Sequence, residues 1–350
     1  MSGLDLLEKF LLSAAGEREL QALPDYTSPP LPIALEATPE PYRDDAVIDE
    51  ARAIAAAGNC TVDGNRCQIP FTVSPTLFPE PSKVGMIFYN GGLVDPRGYA
   101  PIADIVADRY GIPTVMPIFE GDRAFSFGLC DSGRLDLAKA EFPDVEKWVL
   151  AGHSFGGIAA MSDMWQRMEA GDDAAAGLVM VAADIQQLGC GDIDYSNSSL
   201  PMASLTGSLD GVLNMTRWEQ NTIYLSPETE FMDIYGASHA SFGAYDASER
   251  FELLGQTDGE PLVPSSIVWD LTAAAFAHVA SRTGVELPTR VDPPEPTFHE
   301  NSQDEKVEKN DPEETEAKEA EQAASAGIVS VRKAPWSWMA AAATLAWIVA

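Results

Sequence analysis

Between about Ala46 and Pro288 the chain alternates between short, continuous apolar runs and longer stretches with apolar residues at three- and four-residue spacing. Val84–Asn90 (VGMIFYN) is such a run, ends in glycines, and predicts a buried strand. Gly98–Tyr110 follows with Ile102, Ile105 and Val106 on one helical face. Pro113–Phe119 reads as a strand despite its prolines. Trp148–Ala151 is a strand leading into a glycine-rich turn, and Phe155–Met168 leaves that turn as a helix. Gly177–Ala183, Met202–Thr206 and Phe231–Tyr235 predict further short strands, and Ser265–Arg282 a closing helix. Strands that are apolar on both faces, separated by helices, indicate a parallel sheet covered on both sides. In such sheets the chemistry sits in the loops beyond the carboxyl ends of the strands.

The two ends follow other patterns. Residues 1–45 read as a helical or irregular extension, opening with MSGLDLLEKFLLSAAGEREL. That opening lacks a basic start, and Glu8 and Lys9 interrupt its apolar run, so an amphipathic helix is expected rather than a signal peptide. Residues 289–326 are rich in Glu, Asp, Lys, Pro and Ala and nearly empty of large apolar residues, which predicts a disordered acidic linker. Residues 327–350 are hydrophobic, with an uncharged stretch of 16 residues from Pro335 to Ala350. As a helix it would span about 24 Å, short of the roughly 30 Å hydrocarbon core. Small residues at Ser325-Ala326-Gly327 before a short hydrophobic end match a GPI-attachment signal. A tail anchor, with Arg332 and Lys333 at the interface, is the rival. Either predicts attachment to a membrane, the former through the secretory pathway; a helix packed on the domain is the remaining alternative.

Charge narrows the partners. Acidic residues outnumber basic ones 54 to 22, a net charge of −32, which leaves no basic face for phosphate and excludes nucleic acid. The four cysteines, Cys60, Cys67, Cys130 and Cys190, have no zinc-type spacing. Asp63-Gly64 suits a two-residue hairpin turn that would set Cys60 opposite Cys67, within reach of a disulfide. Reduced, buried thiols fit the same residues equally well.

The turn after Trp148–Ala151 reads Gly152-His153-Ser154-Phe155-Gly156, a G-x-S-x-G pattern. It describes a sharp strand-to-helix turn with a strained serine whose hydroxyl stands clear of the sheet. A serine that merely caps the next helix is the plainer reading. A nucleophilic serine needs a base, and the base an acid to fix its tautomer. Of four histidines, His153 sits in the turn and is expected to point away from the serine, His278 lies inside a helix, and His299 lies in the acidic linker. His239, just beyond a strand end in YGASHASFG, remains as the base. Asp210, in LTGSLDGV, is the acid of choice and Asp184 its competitor; Ser154, Asp210, His239 is the chain order of α/β-hydrolase triads. For a developing oxyanion, the backbone N–H of Phe155 is one expected donor. The second is Leu93, with Gly92 in reserve, from the loop Asn90-Gly91-Gly92-Leu93.

Together FYNGGLVDPRGYAPIA, WVLAGHSFGG, GSLDGV and GASHASFGAYD resemble the fold-5 group of the α/β-hydrolase superfamily, relatives of dienelactone hydrolase. The resemblance covers about Ala46 to Arg282. It implies an α/β-hydrolase fold at residues 46–288 without a large lid domain. It also implies a serine hydrolase with Ser154, Asp210 and His239 as its triad and Gly91–Leu93 as its oxyanion loop. Asn90 stands where proline is expected, and Cys130 and Cys190 fall in post-strand loops where a disulfide would brace the pocket mouth. The expected substrate is a small-molecule ester, with no metal or organic cofactor. A membrane-tethered scaffold that kept the fold and lost the chemistry, and acyl transfer to an acceptor other than water, are the alternatives.

Overall fold

The computed structural model describes residues 28–61, 67–124, 132–185, 192–248, 251, 254–291 and 329–333. Eight strands form one sheet: β1 (Gln68–Phe71), β2 (Val84–Tyr89), β3 (Thr114–Pro117), β4 (Lys147–His153), β5 (Ala175–Val181), β6 (Met202–Gly207), β7 (Thr229–Ile234) and β8 (Val329–Lys333). Their order is β1-β3-β2-β4-β5-β6-β7-β8. The six inner strands run parallel, and β1 and β8 close the edges antiparallel.

Most of the inner strands read as apolar runs because alternate residues enter two different cores. On one face, Val84, Met86 and Phe88 of β2 and Val149 and Ala151 of β4 pack with helices α1 (Pro32–Ala37), α2 (Asp45–Ala56), α3 (Ala100–Tyr110) and α7 (Ser265–Ser281). On the other, Ile87, Tyr89, Trp148 and Leu150 meet α4 (Arg134–Glu141), α5 (Phe155–Glu169) and α6 (Met215–Asn221). This is the fold class expected from the pattern. Local signals explain the helix ends. Asp44 caps α2 by accepting from the Ala46 N–H at 2.9 Å. Gly111, at φ +65°, ends α3 in the left-handed conformation.

Several boundaries differ from the sequence reading. Residues 28–37 belong to the domain: the Ser28 N–H donates to Leu93 O at 3.3 Å, and Ala34 is wholly buried. Residues 329–333, expected in the hydrophobic tail, pair with β7. Cys60 and Cys67 are joined, with Cα atoms 5.8 Å apart, tying the end of α2 to the start of β1. The Asp63-Gly64 turn, Cys130, Cys190, His299, the N-terminal helix, the acidic linker and the tail beyond Lys333 lie outside the described residues. Among the described residues, no helix is long and apolar enough to cross a membrane.

Strand order positions the site. From β2 the chain crosses to β3 on one side and then returns past β2 to β4 on the other. The loops leaving β2 and β4 therefore part from neighbouring strand ends, where such sheets open a crevice.

Candidate active site

The turn after β4 is built on close backbone approach. A Cβ on Gly152 would lie 2.3 Å from Gly156 O, and one on Gly156 would lie 2.3 Å from Tyr89 O and 2.4 Å from Asn90 O. Only glycine lets α5 begin this near the ends of β2 and β4. Ser154 between them sits at φ +53°, ψ −120°, a strained conformation for a residue with a side chain. It is held there by its N–H bond to Val181 O at 2.8 Å and by Gly157 N–H donating to Ser154 O at 3.0 Å. Its hydroxyl makes no capping bond to the helix that follows, so the plainer reading of this serine does not apply.

His239 lies in the turn after β7, in a short 3₁₀ segment (His239–Phe242). Its Nδ1 is 2.8 Å from Asp210 Oδ2, and both side chains are almost completely buried. Asp210 Oδ1 accepts from the N–H groups of Val212 and Leu213, each at 2.8 Å. Burial alone would raise the Asp210 carboxyl; the charge and hydrogen bond of His239 and these two amides outweigh it and hold the group below the usual carboxylate range. Asp184, the competing acid, is engaged elsewhere: Arg217 Nε donates to it at 2.6 Å and Asn221 Nδ2 at 3.1 Å. His239 Nε2 is buried and has no hydrogen-bond partner among the described residues, so it is the nitrogen left for chemistry.

His153 packs beside His239. Its ring lies 4.6 Å from that of His239, and its Nδ1 is 2.8 Å from the Tyr99 hydroxyl, which also accepts from the Gly91 N–H at 3.2 Å. His278, as expected, faces elsewhere, 3.0 Å from Glu230.

The loop after β2 departs from the reading in one particular. The Leu93 N–H donates to Asp122 O at 3.0 Å and is committed within the loop, with Leu93 at φ +60°. The amide named first for the oxyanion is thus engaged within the loop, and Gly92 is the one held in reserve. Gly92 adjoins Phe155: a Cβ built on it would lie 3.3 Å from Phe155 Cβ. Asn90, where proline was expected, organises the loop instead. Its Nδ2 donates toward Val94 O (2.8 Å), Asp122 O (2.9 Å) and Gly91 O (3.1 Å).

Beneath the loop, Arg52 of α2 bonds both oxygens of Asp122 (3.0 and 2.7 Å) and Asp95 (2.9 Å), and Arg97 adds a two-pronged pairing to Asp95. Burial and the nearby Asp95 push the Asp122 carboxyl up to about 7 against the pull of Arg52. Arg52, although burial works against its charge, is held firmly cationic by Asp122 and Asp95. Sequence reasoning missed this cluster and Tyr99; the bonds of Arg52 to Asp95 and Asp122 and of Tyr99 to His153 join residues 43 to 70 apart along the chain. Among the described residues, no group of three or more His, Cys, Asp or Glu converges as a metal site.

Residues 85–250 match the model of a family described as "Alpha/beta hydrolase family". No curated protein sequence matches the chain. Solved structures similar to it include the following three. An esterase of Pyrobaculum calidifontis, in a monoclinic form, is 10% identical over 72% of this chain and 99% of its own, with a TM-score of 0.37. An alpha-beta serine hydrolase homologue from Coxiella burnetii is 18% identical over 53% of this chain and 88% of its own, TM-score 0.39. Carboxyl esterase 2 of the mycorrhizal fungus Tuber melanosporum is 9% identical over 68% and 99%, TM-score 0.41.

Proposed function

We propose that this chain, whose residues 85–250 match the model of the alpha/beta hydrolase family, is a serine hydrolase that cleaves small-molecule carboxylic esters. The observation that carries the reading is the buried Asp210–His239 pair, 2.8 Å apart, at a strand-end cluster that also holds the strained Ser154. A carboxylate bonded to Nδ1 fixes the tautomer in which Nε2 is free to accept a proton.

In this mechanism Ser154 Oγ attacks the ester carbonyl carbon while His239 Nε2 takes the hydroxyl proton. The carbonyl oxygen, now an oxyanion, accepts hydrogen bonds from the Phe155 and Gly92 amides; each such donor contributes about 3 kcal/mol of transition-state stabilisation. Collapse expels the alkoxide, which takes its proton from His239, and leaves Ser154 acylated. Water then attacks the acyl carbon, again giving its proton to His239, and releases the acid and the free serine. Asp210 stays ionised throughout and stabilises the imidazolium formed in each half-reaction. Its depressed carboxyl suits that duty.

The test is covalent labelling by a fluorophosphonate probe, with mass mapping of the adduct. The expected result is one adduct per chain, on Ser154, absent from Ser154→Ala and strongly slowed in His239→Ala, since triad members act as a unit. A folded Ser154→Ala variant that labels as fast as the native protein overturns the assignment.

A further inference from the structure

The loops carrying Asp210 and His239 follow different strands, β6 and β7, and each would be free to drift alone. A third segment, residues 257–262, ties them together. Asp258 Oδ1 accepts from the N–H of Gly211 (3.1 Å), of His239 itself (3.0 Å) and of Gly259 (2.9 Å), while Oδ2 accepts from the Ala240 N–H (2.9 Å). One carboxylate thus grips the residue after the acid and the backbone of the base. Bonds from Gly259 N–H to Leu209 O (3.1 Å), Leu209 N–H to Ala237 O (2.9 Å) and Leu262 N–H to Gly236 O (2.8 Å) lace the same three segments. The junction is too close for side chains: a Cβ on Gly211 would lie 2.5 Å from Thr257 O, and one on Gly259 only 2.1 Å from Leu209 O.

We propose that Asp258 is a positioning residue for the catalytic pair, setting the Asp210–His239 hydrogen bond by holding both loops to one carboxylate. The inference rests on the reading of that pair as the proton-handling machinery. Asp258 acts through backbone alone: both its oxygens face amides, and Nδ1 of His239 is taken by Asp210. It lies past residue 250, outside the span that matches the family model. Charged acceptors make stronger bonds to amides than neutral ones, which suits a carboxylate at a point where four donors converge. A displacement of about 1 Å at a catalytic group lowers the rate about a hundredfold, so the grip translates into turnover rather than affinity.

The experiment compares Asp258→Asn and Asp258→Ala with the native enzyme on a model ester, each concentration set by fluorophosphonate titration of active sites. Asn keeps an acceptor for the Oδ1 donors but opposes an NH2 to the Ala240 N–H, so kcat per titrated site should fall up to about tenfold. Ala removes all four acceptances, and kcat should fall about a hundredfold. KM should stay within about twofold in both, and the far-downfield proton resonance of His239 Nδ1–H should weaken or shift in the same order. If Ala is recovered unfolded, Asn alone carries the test. Native kcat per titrated site with an unchanged resonance in the folded Asn variant overturns the proposal, because a residue serving stability alone lowers only the count of active sites. Failure of the native chain to label would defeat the hydrolase reading, and the resonance would still report whether Asp258 sets the pair.

Discussion

Truncation of Asn90 tests whether the loop after β2 is ordered by a side chain rather than by the proline its sequence context suggested. The residue is buried, and its carboxamide carries two hydrogens shared among three carbonyls. In Asn90→Ala, Gly91 O keeps the N–H of Val94 (3.1 Å) and Asp122 O keeps that of Leu93 (3.0 Å), whereas Val94 O is stripped. A buried carbonyl left without a donor costs about 1–3 kcal/mol, and each lost neutral hydrogen bond about 1 kcal/mol. The sum is a loss of about 2–4 kcal/mol. Asn90→Asp, nearly identical in shape, should be worse, because it turns a carboxylate oxygen toward three carbonyl oxygens in a dry site. Urea unfolding followed by tryptophan fluorescence measures both differences. In addition, the rate of fluorophosphonate labelling should fall further than the folded fraction, since Gly92 and Phe155 lose their fixed relation. A loss below about 0.5 kcal/mol for Ala, or equal losses for Ala and Asp, would refute the reasoning.

Acid titration probes the Asp210–His239 pair through stability. The Asp210 carboxyl lies below its ordinary value in the folded chain, so the unfolded chain (about 3.9) binds more protons in acid. Its contribution is complete above about pH 5 and is lost as pH falls through the folded value; the stability gap between native protein and Asp210→Asn should narrow on acidification, and a gap constant from about pH 6 to 3 would contradict this. Truncation tests the sheet edge: a chain ending at Lys333 should stay monomeric by light scattering. One ending at Pro288 lacks β8, bares the backbone groups of Thr229–Ile234, and should self-associate as concentration rises, unlike any outcome in which β8 is dispensable.

What could be read from the sequence follows from what each element needs. Strands β2, β4, β5 and β6 are legible because both faces are buried, which forces apolar runs such as Leu178–Val181, whereas β7 is carried by Phe231, Met232 and Ile234 between half-buried acidic residues. The serine turn was legible because steric exclusion at Gly152 and Gly156 admits no other residue. Strand β1, QIPF, escaped because it is four residues long, contains a proline and pairs at an edge. Strand β8 escaped because its Val-Ser-Val-Arg alternation is only five residues long and lies beyond an acidic stretch that separates it from the domain. In the site, Asp210 and His239 stand at strand ends, where topology alone nominates them. Tyr99, Arg52, Asp122 and Asp258 act through contacts made across the chain, and no local pattern encodes which distant carbonyl or amide will face them. The acceptor of the Leu93 amide, Asp122 O, was illegible for the same reason: it arrives from another loop.

The direction of β8 has a consequence for how the molecule can be held. Val329 pairs with Ile234, on the rim where β7 passes into the His239 turn, and Lys333 pairs with Glu230 on the opposite rim. Five residues of strand carry the chain across about 15 Å of sheet. Lys333 therefore stands at the back of the domain, with Ser154 and His239 at the front. A surface that grips Lys333 itself would moor the domain by the stern, leaving the rim of Ser154 and His239 turned outward to whatever diffuses past.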